Sequence, residues 1–490
     1  MYKQISWFRV SVAYTVRMIA ILISAAVAAT LGSDLQEIAK LPGEPSIVSA
    51  AGLNAAGEPI LTLENPSAFD PQSKKKRVVI FATAGSDQRT AGVLQLVRWM
   101  KAAAPARVRD AWVASALPAA MFADTASFPR WLEFQNADAA FEVTDDSKTT
   151  DDLLRVLNAV TNPSRPVSAR IARDPLMMAK LLAAKYPGEP SISYIPALSW
   201  ASTLKLSARI NDPALRAKVE QQIRPWMSGE KELFGSRIQL TSAAGTLVFA
   251  GLAKSGDEAA KALAIKGADA ASKVKEGDLY EYGGGWTDDM FMASVVLART
   301  SSLPGRSSDL DLAAKMVIAY AGRLQRPDGL FNHATNGPAA WGRGNGFATL
   351  GLMEVLTALP ENHPLRANVL DVYKRHMQAL RAQQAPDGMW REVIDEPGSY
   401  REESATAIIM TSMARGVRLG WLDRSYATVV ERAWRGVAAH VAEDGTVIDV
   451  CTSTGSGPTK KYYLERAAIT GADDRGGAMA LMAAMEMMEK

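Results

Sequence analysis

The chain has 490 residues, 48% of them apolar and 22% charged, with a formal net charge of +3. That length exceeds one ordinary core and predicts two folded units after a short leader. The near-neutral charge, with one basic run at Lys74–Arg77 that reads as a solvated strand entrance, speaks against a nucleic-acid partner, and the single cysteine, Cys451, excludes an intrachain disulfide framework.

At the N-terminus, Lys3, Arg9 and Arg17 precede "MIAILISAAVAATLG", fifteen largely apolar residues that end in small side chains. This run is short for a membrane span and fits a secretory signal over residues 1–29, cleaved near Ala28 or Ala29. The expectation is an exported protein of the bacterial periplasm or exterior, with no stable membrane insertion after cleavage and no cofactor; an uncleaved anchor is the alternative. From 42 to 170 strands and helices alternate: "RVVIFATAG" reads as a buried strand, "TAGVLQLVRWMKAAA" as a helix, "VRDAWVASAL" as a second strand and "TTDDLLRVLNAV" as a further helix. This predicts a small α/β domain.

From 173 to 490 strand signals almost vanish. The apolar spacing predicts helices over 173–186, 194–208, 212–227, 239–254, 257–273, 287–300, 308–324, 343–358, 362–383, 403–419, 423–441 and 474–488, twelve in all and therefore six hairpins. "RPDGLFNH", "APDGMWREV" and "AEDGTVIDV" each follow a long helix, with Gly329, Gly388 and Gly445 spaced 59 and 57 residues apart. An Asp-Gly stop at that period predicts a mainly α fold, an (α/α)6 barrel preceded by the smaller α/β domain. An open solenoid is the alternative. In a closed barrel six inner-helix N-termini share one mouth, and their dipoles and free N–H groups favour an anionic ligand there.

The loops at those helix starts carry the candidate chemistry. In "GGGWTDDMFMAS" Thr287 is the expected N-cap, with Asp288 and Asp289 in the first turn. Acids there stabilise any helix, so a catalytic reading needs company. Trp286 beside Asp288, with Phe291 and Met292 one turn on, supplies an apolar pocket. The helix terminus lowers the aspartate's pKa, whereas desolvation and Asp289 raise it; a general acid needs the second effect to prevail. "FNHATNGPAAWGRGNGF" offers His333, Trp341, Arg343, Asn345 and Phe347; without a preceding strand or a Gly-Lys-Ser/Thr, its glycines do not make a phosphate cradle. An aromatic plate with an arginine fork suits an acidic sugar, so an acidic oligosaccharide is the expected partner. "MWREVIDEPGSYREESATAI" adds Tyr400, which can line the mouth, and Glu402, which can cap the next helix. The four histidines show no metal-ligand spacing and no G-x-S-x-G elbow occurs, so no metal is expected.

Together "WTDDMFMAS", "GLFNHA", "WGRGNGF", "LPENHPLR" and "DGMWREVIDEPGSYREESATAIIMTSMARG" resemble the unsaturated rhamnogalacturonyl hydrolases, glycoside hydrolase family 105, and more distantly the unsaturated glucuronyl hydrolases of family 88. The resemblance is specific from 283 to 420. It implies an (α/α)6 barrel that removes a terminal uronic acid bearing a C4=C5 double bond by hydrating that bond. It also implies that Asp288 is the acid/base, His333 a sugar contact, Trp341 a stacking residue and Arg343 the uronate-binding arginine. Phe347 stands where the family commonly has tryptophan. A second departure is "RIQLTSAAG", with Gln239 and Thr241 where the family usually carries another aspartate before the glycine aligned with Gly245. Ordinary glycoside hydrolysis needs two placed carboxylates. If Asp289 or Glu402 supplies the second, the substrate is a saturated glucuronide; a uronate lyase or a non-catalytic carbohydrate-binding protein on the same barrel are the other readings. In the α/β domain "VVIFATAGSDQRTAGVLQLVRWMK" is faintly similar to zinc carboxypeptidase-like folds, but Ser86 and Arg89 replace the metal-binding His and Glu, and arginine cannot ligate a metal.

Overall fold

The computed structural model describes residues 30–83, 87–118, 127–161, 165 and 167–489; the leader at 1–29 and Ser86 lie outside the described residues. The chain divides into a unit ending at residue 166 and one beginning at Val167.

The first unit is built on a five-stranded sheet with β1 (Ile47–Leu53), β2 (Pro59–Glu64), β3 (Lys76–Phe81), β4 (Trp112–Leu117) and β5 (Ala139–Glu142) in the order β1-β2-β4-β3-β5. β3 runs parallel to both β4 and β5, and "VVIF" within it is buried on both faces, the continuous apolar run of a central parallel strand. The β1–β2 hairpin escaped the sequence reading. Its turn is closed by Asn54, whose side-chain oxygen accepts the N–H groups of Ala56 and Glu58, while Gly57 takes a φ of 81°. Helices α1 (Asp87–Arg98) and α2 (Thr150–Ala159) cover the sheet's apolar residues, α2 starting in a Thr149/Asp152 capping box. Arg89 pairs with Asp145 at 2.9 Å.

The second unit is a ring of helical hairpins. In chain order its long helices are α3 (Pro175–Lys185), α4 (Tyr194–Ile210), α5 (Pro213–Met227), α6 (Leu247–Lys254), α7 (Glu258–Ala271), α8 (Thr287–Met292), α9 (Ser294–Thr300), α10 (Ser308–Leu324), α11 (Gly342–Ala358), α12 (Arg366–Ala382), α13 (Glu403–Arg418), α14 (Tyr426–Ala439) and α15 (Asp474–Met487). The inner layer closes on itself: α4 packs on α6, α6 on α9, α8 and α9 on α11, α11 on α13, α13 on α15, and α15 back on α4. This is the (α/α)6 barrel. α11, α13 and α15 are buried almost all round, as "GRGNGFATLGLMEVLTA" and its counterparts require, since a helix without a polar face must sit inside.

Two expected helices are interrupted. The 239–254 run breaks after a single turn, Leu240–Ala244, at Gly245, which lies against the Ile192–Ser193 backbone, where a Cβ would come within 2.6 Å. The 287–300 run breaks at Ala293, where Ser294 Oγ donates to the Met290 carbonyl and Gly351 of α11 packs on that same carbonyl. The repeated Asp-Gly turns follow α10, α12 and α14, and Gly329, Gly388 and Gly445 have φ of 91°, 87° and 81°, values that favour glycine. At the end opposite the helix starts, Glu354 and Glu486 bind Arg299, Arg415 and Arg418 at 2.7–3.1 Å and tie α9, α11, α13 and α15 together. After α14 the chain forms an antiparallel pair, β6 (Val447–Cys451) and β7 (Ala468–Gly471), joined by a segment carrying the one-turn helix Lys460–Leu464; this insertion broke the helical periodicity and was not anticipated.

Candidate active site

The N-termini of α8, α11, α13 and α15 gather the loops 283–286, 331–341, 390–402 and 452–473 at one end of the barrel. α8 begins one residue earlier than a Thr287 cap would set it: Trp286, not Thr287, occupies the N-cap position. The fastening comes from Asp289, whose Oδ2 accepts the N–H groups of Gly285 at 2.7 Å and Trp286 at 3.1 Å and the Tyr320 hydroxyl at 2.6 Å. Asp289 is fully buried, and burial, with the nearby Asp288 charge adding to it, lifts its pKa to about 6 against those hydrogen bonds. Gly283 lies where any Cβ would meet the Asp289 carboxylate.

Asp288 points the other way, with 15% of its side chain exposed. Its Oδ2 lies 3.1 Å from His333 Nε2, and His333 Nδ1 lies 3.0 Å from the Tyr463 hydroxyl. His333 is held by its backbone, which receives the Thr287 N–H at 2.9 Å and donates to Ala339 at 2.9 Å, so the two halves of the acid–imidazole pair are indexed to each other. Trp286 stands beside the imidazole at 5.2 Å between ring centres and Trp341 beneath it at 4.6 Å.

Arg343, in the first turn of α11, is 1% exposed. Its Nη1 donates to the Cys451 carbonyl at 2.9 Å and to Ser404 Oγ at 3.2 Å, and the guanidinium lies over the Trp341 ring at 5.1 Å. Among the described residues its Nε makes no hydrogen bond. Its nearest acid is Glu402, 4.0 Å away. Glu402 is the N-cap of α13, accepting from the N–H groups of Ser404 and Ala405, from Ser404 Oγ and from the Cys451 N–H.

Beneath Arg343 lies a residue the sequence reading passed over. Glu392 is fully buried, accepts from Trp341 Nε1 and Cys451 Sγ, both at 3.0 Å, and is pushed up to about 8 by burial and by the Glu402 charge. Burial likewise pushes the Cys451 thiol up to about 12 and raises Glu403 well above the carboxylate range. Under the arginine, burial therefore favours the protonated form of both Glu392 and Glu403.

The remaining anticipated residues take up distinct places. Asn345 sits inside the barrel, its amide bonded to both backbone groups of Phe331 and to the Trp341 carbonyl, with His376 3.1 Å from its Oδ1; it clamps the His333 loop and has no group left for a ligand. Phe347 is wholly buried, stacked on Phe291 at 5.5 Å and 11°, with Tyr194 edge-on at 5.6 Å. Trp341 is 2% exposed, so these rings form a packed layer behind Asp288 and His333, and Trp286 is the half-buried aromatic face. The Tyr400 hydroxyl is buried with no hydrogen-bond partner among the described residues, and burial followed by the Glu392 charge keeps it protonated. Tyr463 and Tyr194 were missed. Tyr194 is the first residue of an inner helix in "SISYIPALSW", a position that could have been read, whereas Tyr463 lies in the insertion, which follows no period. Among the described residues no group of three or more His, Cys, Asp or Glu side chains is placed to hold a metal, and no helix is long and apolar enough to cross a membrane.

Fold and site define a six-hairpin helical barrel whose mouth presents the partly exposed Asp288 carboxylate against an imidazole, above a buried arginine. The sequence profile of glycosyl hydrolase family 88 matches residues 127–490, and the chain belongs to that family. It is 33% identical over 175 residues, 33% of its length, to an unsaturated 3S-rhamnoglycuronyl hydrolase of Alteromonas sp. (strain LOR), covering 42% of that protein. It is 27% identical over 177 residues, 34% of its length, to the unsaturated rhamnogalacturonyl hydrolase YesR of Bacillus subtilis (strain 168), covering 50%. The match thus spans half or less of these curated relatives. A glycoside hydrolase from family 105 of C. acetobutylicum ATCC 824 shares the fold, with a TM-score of 0.58 at 19% identity over 64% of this chain and 99% of that one.

Proposed function

We propose that the chain is a glycosidase that removes a terminal 4,5-unsaturated uronic acid from acidic oligosaccharides by hydrating the C4=C5 bond. One observation carries this reading: of the three acids considered for chemistry, only Asp288 is reachable, while Asp289 and Glu402 are consumed in fastening helix starts. Retaining or inverting hydrolysis needs two carboxylates flanking the scissile bond, whereas hydration of an alkene needs one that gives a proton and takes one back. The relatives that act on unsaturated glycuronyl groups point the same way.

In this mechanism protonated Asp288 delivers its proton to C4, positive charge develops at C5, and the resulting carboxylate accepts a proton from the water that adds to C5. The C5 hemiketal opens to a ketone, leaving a hemiacetal at C1 that expels the aglycone as an alcohol. Arg343 is anchored through Nη1 and keeps a buried Nε with no hydrogen-bond partner among the described residues, and we assign its guanidinium to the substrate carboxylate, which it can grip with two parallel hydrogen bonds. Trp286 covers the C–H face of the sugar, and His333 sets the Asp288 carboxylate. We further propose that the leader at residues 1–29 exports the protein, which cell fractionation tests.

The test is to incubate the protein with a lyase-generated unsaturated disaccharide and follow the ultraviolet absorbance of the conjugated alkene. Hydration abolishes the absorbance as the second sugar is released. A lyase creates it and a binder leaves it unchanged; release of uronate from a saturated glucuronide alone overturns the reading.

A further inference from the structure

The insertion between β6 and β7 is fixed to the barrel mouth at three points. Ser456 Oγ donates to Asn336 at 2.7 Å, Lys460 pairs with Glu396 at 2.9 Å, and Arg475 Nη1 donates to the Thr452 carbonyl. It delivers one fully buried hydroxyl, that of Tyr463, to His333. The loop opposite is shaped to receive it: at Gly337 any Cβ would lie 2.4 Å from the Tyr463 oxygen.

The hydrogens around that oxygen can be assigned. The Gly457 N–H, which can only donate, gives to Tyr463 Oη at 3.1 Å. The hydroxyl's own hydrogen then needs an acceptor, and His333 Nδ1, at 3.0 Å, is its partner among the described residues. A buried hydroxyl hydrogen left unpaired is costly, so Nδ1 presents its lone pair and the ring proton sits on Nε2, aimed at Asp288 Oδ2 3.1 Å away. Burial raises the Tyr463 pKa, which keeps the hydroxyl's hydrogen in place. Among the described residues the titratable groups bonded to the ring are Asp288 on α8 and Tyr463 on the insertion, and Trp286 and Trp341 pack against it at a tilt.

We propose that Tyr463 is a positioning residue that locks His333 as the neutral Nε2–H tautomer, and so leaves Asp288 free to carry a proton. A doubly protonated ring would turn Nδ1–H against the Tyr463 hydroxyl and strand that hydroxyl's hydrogen. It would also set an imidazolium 3.1 Å from Asp288. An opposite charge at that range lowers a carboxyl pKa by about 1–3 units, away from the acid form that alkene protonation requires. The kinetic part of this proposal rests on the hydrolase reading; the tautomer does not.

The experiment uses the full chain labelled with 15N-histidine. Four histidines give a tractable two-bond 1H–15N correlation spectrum, assigned with a His333→Gln variant. The expected result is a non-protonated Nδ1 and a protonated Nε2 on His333 throughout the active pH range. In Tyr463→Phe the single tautomer is lost, kcat falls roughly 10- to 100-fold out of the 10²–10⁴ that acid–base catalysis supplies, and KM changes little. The alkaline limb of kcat/KM moves down by about 1–3 pH units. Lys460→Ala, which loosens the same segment and leaves the hydroxyl, keeps both the tautomer and the pH profile. A wild-type His333 protonated on Nδ1, or a Tyr463→Phe protein with an unshifted profile, overturns the proposal, and the wild-type spectrum decides even if the variant misfolds. An Nε2–H tautomer that Tyr463→Phe abolishes, in a protein inactive on unsaturated uronides, counts against the hydrolase reading and leaves the positioning role standing.

Discussion

Replacing Asp289 separates fastening from chemistry. Its Oδ2 satisfies three buried donors, two backbone N–H groups and the Tyr320 hydroxyl. Asp289→Asn keeps an acceptor for all three, Asp289→Ala keeps none, and both are uncharged, so comparing them cancels the cost of burying the charge. Each stranded donor costs about 1–3 kcal/mol, and with water partly refilling the site Asp289→Ala unfolds roughly 3–6 kcal/mol more readily than Asp289→Asn, a large share of a typical domain's 5–15. Guanidinium unfolding followed by tryptophan fluorescence measures this difference. The wild type adds a pH signature. The folded carboxyl titrates near 6 against a reference value of 3.8, so its proton is bound more tightly in the folded state. Its contribution is whole below about pH 4 and is lost as pH rises through 6, a change of roughly 3 kcal/mol that Asp289→Asn lacks. Asp289→Asn also retains activity within about ten-fold, since removing a whole acid–base group costs 10²–10⁴. Equal stability of the two variants would refute the fastening role; a folded Asp289→Asn protein as inactive as Asp288→Asn would make Asp289 a chemical carboxylate.

Glu392, pushed up to about 8 from a reference of 4.5, acts with the same sign: its contribution is complete below about pH 4.5 and is lost as pH rises through 8. Melting temperatures of Glu392→Gln therefore decline less than those of the wild type between those limits, and parallel curves would count against the buried acid. Arg343→Lys keeps the charge and loses the planar edge anchored on Cys451 and Ser404, so kcat/KM on a uronate substrate falls by about 10- to 100-fold, mainly through KM. Gly351→Ala forces a Cβ to 2.0 Å from the Met290 carbonyl, which destabilises the barrel by roughly 1–3 kcal/mol in chemical denaturation.

The barrel was legible because its signals are periodic. Apolar spacing placed the long helices to within a few residues, and the Asp-Gly turns that ended α10, α12 and α14 marked the hairpin count. The two interruptions were not legible, because they fall where segments distant in sequence meet: Gly245 against Ile192–Ser193 and Gly351 against Met290. At the site, residue type identified what each side chain can do, but not what it is already doing. Asn345 and Asp289 look like ligands in sequence and prove to be spent on backbone groups, because a helix start and a loop return close to them. Glu392, in "MWREV", carries no mark of burial in its local sequence; its partners Trp341 and Cys451 lie 51 and 59 residues away. Tyr463 reaches His333 from 130 residues downstream, across an insertion with no pattern to read.

Hydration through Asp288 is tested most directly by running the reaction on an unsaturated uronyl disaccharide in deuterium oxide and reading the product by NMR. A proton delivered to the alkene predicts one deuteron at C4 with loss of the double bond, and neither event with Asp288→Asn. A released uronate that still carries its C4=C5 bond and has no deuterium at C4 would contradict it.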